Sequence, residues 1–471
     1  MKKAYHKQVR DIFIKLFATQ KENIIKASIY GFKSASNNSR FYALGTGHSH
    51  MMPEELYARL KGTDLVTSII MPEFMLHQFP SKSTAVERVS SYADVVLSMY
   101  PMEKGDTLML VSNSGRNGLL VELALRAKEK GVNLITCANY PQAQVITSRH
   151  VSGKNMIDFA DVIIDNCGAY GDACHEVMDG LKMGSTSNMV TLTIAQMINA
   201  VLINQQEGQK ESNIAVLNRF EQYFWQAFDE TFKQNTNVEA AANIIFEALQ
   251  RDHRFFVYGG GHSHMIAEEL YSRAGGLACI NPMLEDEIMV HQSGDKSNLM
   301  ENSAEYAHVL MMKYGLKKDD VLLIASNSGK GNLTVELATI AMAAGVKIIA
   351  LTNVRQSKLV TSKHLSKKRL FEVADVVIDN CAPINDAAFI INDRECCPLS
   401  SALGCYLAQC IVVDLAYIMV KNDIIPPVLI SANIEDAQTA EQKKIKELSN
   451  EGKIKYRDCF PYQGPRINRF K

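Results

Sequence analysis

The sequence predicts an α/β fold with a mostly parallel sheet covered by helices on both faces, and it predicts that fold twice. Three observations carry this. Short apolar runs recur without polar alternation, as in Leu108-Met-Leu-Val111 and Val321-Leu-Leu-Ile324, which fits strands buried on both faces. These runs alternate with helical stretches through glycine-bearing loops, the order of strand, crossover and parallel strand. The whole series then repeats at one offset: Gly45-Thr-Gly-His-Ser-His50 returns 214 positions later as Gly259-Gly-Gly-His-Ser-His264. The offset also relates Ser112-Asn-Ser-Gly115 to Ser326-Asn-Ser-Gly329, His77 to His291, His150 to His364, and Asp165-Asn-Cys167 to Asp379-Asn-Cys381.

Taken in order, each repeat opens with a helical pattern (residues 9–17; 220–232). A first strand (41–44; 255–258) runs straight into the glycine-histidine loop, and the Glu-Glu-Leu-Tyr segment behind the loop begins a helix. A second strand (108–111; 321–324) ends in Ser-Asn-Ser-Gly. A helix of strong formers follows (119–130; 333–344), closed by Gly131 or Gly345, glycine being the favoured residue just past a helix end. A third strand (133–137; 347–351) and a fourth (160–164; 374–378) precede a long apolar helix (191–203; 403–420). The last of these contains Gln409 and Asp414, so a buried helix accounts for it better than a membrane span.

A chain of 471 residues is too long for one core and suits two. Repeat arithmetic gives domains at 1–214 and 215–433, with a basic tail at 434–471 read as a solvated helix and extension. A net charge of −1 argues against a general polyanion binder, so neither nucleic acid nor membrane is an expected partner. Ten cysteines without a Cys-x-x-Cys pair or regular spacing fit a reducing, cytoplasmic setting.

The chemistry lies in the loops. Ser-Asn-Ser-Gly at a strand-to-helix turn offers hydroxyls, a close-approaching backbone and free helix N–H groups, which together make an anion site. The candidates are Ser112, Ser114, Ser326 and Ser328, with Ser49, Ser263, Gly47 and Gly261 of the other loop. The dinucleotide pattern Gly-x-Gly-x-x-Gly is not met, because Met51 and Met265 follow the second histidine. His50 and Glu54 stand four apart, as do His264 and Glu268, sharing a helix face. They suit an acid–base pair, a helix-surface pair, or part of a metal site with His77 or His291 as third ligand. Glu55 and Glu269 are carboxylates whose burial would fit them to take a proton from carbon beside a carbonyl. His48, His50, His77, His262, His264 and His291 are the candidate partners for a sugar oxygen.

Strand, Gly-x-Gly-x-Ser, strand, Ser-x-Ser-Gly and helix together resemble the sugar isomerase (SIS) domain, over nearly the whole chain apart from the tail. Gly-x-Gly-His-Ser-His, Glu-Glu-Leu and Thr-Ser-x-His are similar to one bacterial branch that usually has a single such domain. The resemblance implies two five-stranded sheets in three-layer αβα sandwiches, phosphosugar binding by the serines, and active sites where two domains meet. Phosphoheptose isomerases also carry Glu-Glu-Leu, and there the second glutamate is catalytic; that position is Glu55 or Glu269. Their metal-binding histidine is Met51 or Met265 here, so no cofactor is carried over, a divalent metal at His50, Glu54, His264 and Glu268 being the lesser alternative. The expected function is therefore aldose–ketose isomerisation of a sugar phosphate through an enediol. A lyase or deglycase on the same chemistry, or a sugar-phosphate sensor, is the alternative. Two copies in one chain imply an internal pseudo-dimer that can associate further into a homodimer.

Overall fold

The structure is a computed structural model that describes residues 2–59, 61–75, 80–430 and 440–455. The first sheet contains β1 (Phe41–Gly45), β2 (Val66–Ile69), β3 (Thr107–Val111), β4 (Asn133–Ala138) and β5 (Val162–Asp165) in the order β2-β1-β3-β4-β5, all parallel. An antiparallel hairpin follows, β6 (Ala173–Met178) and β7 (Leu181–Ser185). The second repeat has β8 (Phe255–Gly259), β9 (Ile280–Met283), β10 (Val321–Ala325), β11 (Lys347–Thr352) and β12 (Val376–Asp379) in the same order, then a hairpin of β13 (Phe389–Ile391) and β14 (Arg394–Cys396).

Two expectations were too spare. The edge strands β2 and β9 escape an apolar-run search because β2 carries Thr67 and Ser68, and β9 carries Asn281 and Pro282. An edge is where a sheet tolerates proline. Each repeat also opens with two helices rather than one, Lys2–Thr19 and Lys21–Ser36 in the first, Asn213–Thr231 and Asn235–Gln250 in the second. The long terminal helices, Ser187–Gln206 and Ser400–Lys421, pack against each other and against these. Ser400–Lys421 is apolar enough to span a bilayer (mean hydropathy 1.9), yet 78% of its most apolar window is buried inside the protein.

Strand alternation sorts the cores. Tyr42, Leu44, Leu108 and Leu110 face an outer cluster belonging to the first repeat alone, and Phe256, Tyr258, Leu322 and Ile324 an equivalent one in the second. Their neighbours Phe41, Ala43, Met109, Phe255, Val257 and Leu323 face a single core that runs through both repeats. Phe13 and Phe17 of the first repeat stack into Phe224 of the second, with ring centroids 4.5 and 5.3 Å apart. The halves are thus joined by shared apolar burial rather than tethered. The helix Ala440–Lys455 docks on this body: the buried Ser449 hydroxyl donates to the Val428 carbonyl at 2.7 Å, and Lys444 meets Asp179 at the first hairpin's turn.

Candidate functional site at the junction of the repeats

Parallel register sets Gly45 beside Val111 and Gly259 beside Ala325. The glycine-histidine loop and the serine loop therefore leave neighbouring strands at one level, the carboxyl ends where such sheets bind ligands. Only glycine fits at the start of the first loop. A Cβ on Gly45 or Gly259 would lie 2.2 Å from the carbonyl oxygen of Ser49 or Ser263, because the loop folds back over the strand end. The following turn, Gly47–His50 or Gly261–His264, leads into a six-residue helix, Met51–Leu56 or Met265–Leu270. The helix starts three residues before the first glutamate of each pair, and all four glutamates are buried.

In the second repeat, Ser263, Ser326, Asn327, Asn380, Ser400 and Ser401 line a small, partly open cleft. The Ser326 hydroxyl accepts the Gly329 amide at 3.2 Å, and Ser112 does the same for Gly115 at 3.1 Å. The carboxylate behind Ser401 in the wall of this cleft comes from the other repeat. Glu55 interacts with Ser401, accepts Gln196 Nε2 at 2.6 Å and pairs with Arg59 at 3.2 Å. Arg59 in turn donates to Asp386 and to Ser400 of the second repeat, both at 3.1 Å. The mirror arrangement sets Glu269 and Arg273 of the second repeat on Ser187, Asn188 and Asp172 of the first. Each serine-bearing half thus receives its glutamate and arginine from its twin.

Burial governs both carboxylates. It pushes Glu269 up to about 7 against the pull of Arg273, Gln409 and Asn188, and it raises Glu55 against Arg59. Arg273 is fully buried, its charge answered by Glu269 and by Asp172. Asp172 is held below its ordinary value because Arg273 and the Ser187 and Thr186 amides outweigh its burial.

A second grouping lies between the two short helices. Glu54 and Glu268 stand among His50, His264 and His291, every side chain at most 3% exposed. His50 Nε2 lies 3.5 Å from Glu54 and 3.3 Å from Glu268, and His264 Nε2 lies 3.4 and 3.7 Å from the same two. His291 Nδ1 is 2.9 Å from Glu54. Burial alone would lower His50 and His264, but the paired carboxylates outweigh it and hold both up at about 9. Glu54 is drawn below the carboxylate range by His291 and His50, despite burial and Glu268.

The candidate residues divide accordingly. Ser263 and Ser326 line one cleft, which Glu55 reaches through Ser401; His50, His264 and His291 join Glu54 and Glu268 instead. His48 and His262 clasp the halves. His48 Nε2 lies 2.9 Å from the Tyr271 carbonyl, and His262 Nε2 lies 3.1 Å from that of Tyr57. Burial and Arg273 push His48 down to about 3, so its ring is neutral and its Nε2 carries the donated proton. His77 lies outside the described residues. His150 and His364 pin their loops to Glu122 and Glu336. Sequence reasoning missed Arg59, Arg273, Asp172, Asp386, Gln196 and Gln409. Asp172 and Asp386 keep the 214 offset, but the glutamines are 213 apart because the second hairpin is one residue shorter. That shift also pairs Ser187 with Ser400 and Asn188 with Ser401. Glu87 and Glu301 were missed too; burial lifts them to about 6 and about 7 beside the glycine loops.

The SIS domain model matches residues 4–139 and again 219–353. The chain belongs to the SIS-domain family. Its second SIS copy follows the first with the same strand order. A UPF0309 protein of Halalkalibacterium halodurans is 39% identical over 216 residues, 45% of this chain and 89% of that relative. One from Thermoanaerobacter pseudethanolicus is 37% identical over 220 residues, with the same coverage. These relatives are little longer than one SIS repeat. Among solved structures, the C-terminal domain of glucosamine-fructose-6-phosphate aminotransferase from Francisella tularensis superposes with a TM-score of 0.46 at 10% identity, covering 87% of this chain and 96% of that one. None of the nine described cysteines lines the serine cleft.

Proposed function

We propose that the protein is a sugar-phosphate aldose–ketose isomerase whose two active sites are each built from both SIS repeats. The observation that carries this reading is the meeting of Glu55, from one repeat, with Ser401 at the wall of the other repeat's serine cleft. The phosphate is held by Ser326, Ser328 and Ser263, with Gly261 allowing the backbone's close approach; Ser112, Ser114, Ser49 and Gly47 serve the mirror site. Binding energy at the phosphate, remote from the reacting carbons, then holds C1 and C2 in place. Glu55, or Glu269 at the mirror site, takes the proton from C2 of the aldose and returns it to C1 through the enediol. A carboxylate lifted by burial suits this task, since a base works best with a pKa near the operating pH. Arg59 and Gln196 fix its orientation.

The test is proton exchange followed by NMR. Six-carbon aldose and ketose phosphates are incubated in D₂O with wild type, Glu55→Gln and Glu269→Gln. Deuterium entering at C2 of an aldose or C1 of a ketose, and lost in a glutamine variant, is the expected result. Tight binding of a sugar phosphate with no exchange would leave a sensor and end the isomerase reading.

A further inference from the structure

The buried histidine–glutamate group between the short helices is not used by the proposed proton transfer, and the separations of His50 and His264 from the two carboxylates are long for charge-assisted hydrogen bonds. We propose that it is a carboxylate-bridged site for two divalent first-row transition ions, lying where the two repeats meet. The first position is formed by His50 Nε2, one oxygen of Glu54 and one of Glu268; the second by His264 Nε2, Glu54 and His291. Within each set the donor atoms lie inside 4.8 Å of one another.

Two observations point to ions. The first is distance. His50 and His264 stand 3.3 to 3.7 Å from the carboxylates, longer than strong charge-assisted hydrogen bonds. Ligand atoms about 2.0–2.1 Å from a tetrahedral ion are about 3.3 Å apart. The second is satisfaction. Both oxygens of Glu54 and Nε2 of His264 are buried without a hydrogen bond of acceptable geometry, though nearly every buried polar atom has one. The opposite ring nitrogens are already committed, with His50 Nδ1 on the Gly47 carbonyl and His264 Nδ1 on that of Gly261. A backbone carbonyl behind the ring is the usual outer support of a metal-binding histidine, because it fixes the tautomer with Nε2 free.

The bridging follows from which oxygen faces which ring. Glu54 turns Oε1 to His50 and Oε2 to His264; Glu268 turns Oε2 to His50 and Oε1 to His264. Glu54 therefore belongs to both positions and Glu268 faces the second ring as well, as in two-metal sites with ions about 3.5–4 Å apart. Imidazole and carboxylate without thiolate suit zinc, cobalt or manganese over softer ions. Glu54 and Glu268 come from different repeats, so the ions would pin the two short helices that also carry Glu55 and Glu269.

The full chain, stripped with chelator, is dialysed against Zn²⁺ and separately Co²⁺, and bound metal is counted by mass spectrometry; no turnover is required, so the outcome is separate from that of the isomerase reading. The expected result is two ions per chain with visible Co²⁺ absorption. His50→Ala and His291→Ala each retain one ion, and Glu54→Gln binds at least 100-fold more weakly. His308→Ala, on the surface, matches wild type. His291→Asn, which keeps both carboxylates, replaces Glu54→Gln should circular dichroism show that variant unfolded. Fewer than two ions in wild type, or two ions that survive these changes, would overturn the proposal.

Discussion

The two composite sites share a frame, and the side chains that hold the glutamate differ at one position. Around Glu269, Gln409 donates to Oε1 at 2.8 Å, while Arg273 and Asn188 both donate to Oε2 at 2.9 Å. Around Glu55, Gln196 and Arg59 crowd Oε1, and Oε2 has no hydrogen bond of acceptable geometry. Where the first repeat places the Asn188 amide, the second has the Ser401 hydroxyl. A hydrogen bond donated to a carboxylate favours its ionised form, so the Asn188 amide opposes proton uptake at Glu269. The comparison teaches that duplication kept the scaffold in both halves but left the two glutamates held differently, Glu269 by three nitrogen donors and Glu55 by two with the Ser401 hydroxyl beside it.

The largest effect that tests this comparison is on proton exchange. Glu55→Gln is expected to lower the exchange rate by about 10²–10⁴-fold, the contribution of a positioned base. Glu269→Gln should lower it by less than about tenfold. Equal losses would show the two sites to be equivalent and remove the distinction.

Next in size is stability at the closed site. Arg273→Ala leaves Asp172 and Glu269 buried without their cation, a change that costs about 3–5 kcal/mol. Urea unfolding followed by circular dichroism measures it. Arg59 and Asp386 are less buried than Arg273 and Asp172, at 7% and 18% against 2% and 12%. The loss in Arg59→Ala should therefore be the smaller, and the reverse order would mean that burial does not set the difference.

How far the sequence carried these sites depends on the range of the interaction. Two repeats, parallel sheets and serine loops at strand ends were legible because apolar runs and glycine loops are local signals, reinforced by a constant offset. The partners of Glu55 were not. Gln196 lies 141 positions from Glu55, and Arg59 reaches Asp386 across 327; nothing local in either sequence marks them. A buried arginine looks like any surface arginine until the fold closes around it. The edge strands β2 and β9 were lost for the opposite reason, since Thr67 and Ser68 in one and Asn281 and Pro282 in the other interrupt the apolar run that is the only local signal a buried strand has. His48 and His50, two residues apart, were read as one group. Their rings part, one toward a backbone carbonyl of the other repeat and one toward the shared carboxylates, a division only the paired helices create.

A smaller effect concerns pH. Glu269 has a folded-state value of about 7 against an ordinary 4.5. Between those values the folded chain holds a proton that the unfolded chain has released. The stability this group contributes is therefore fully present below about pH 4.5 and is lost as pH rises through about 7. Unfolding free energy measured across that window should fall more steeply with pH in wild type than in Glu269→Gln. Matching slopes would mean that Arg273 keeps Glu269 ionised throughout.

The smallest expected change is the most direct exchange between the halves. Asn188→Ser removes one of the two donors on Glu269 Oε2 and gives the first site the hydroxyl of the second. The short side chain leaves Arg273 and Gln409 in place, so the variant should fold with a loss of about 1 kcal/mol, the typical worth of one hydrogen bond. If the occupied oxygen is what silences this site, Asn188→Ser in a Glu55→Gln background should recover part of the lost exchange, about tenfold over Glu55→Gln alone. Ser401→Asn in the wild-type background should do the converse, closing Oε2 of Glu55 and slowing exchange. Recovery in the first variant without slowing in the second would place the difference in the cleft around Glu269 rather than in its donors. Change in neither would shift the comparison away from this position and onto the serine loops themselves.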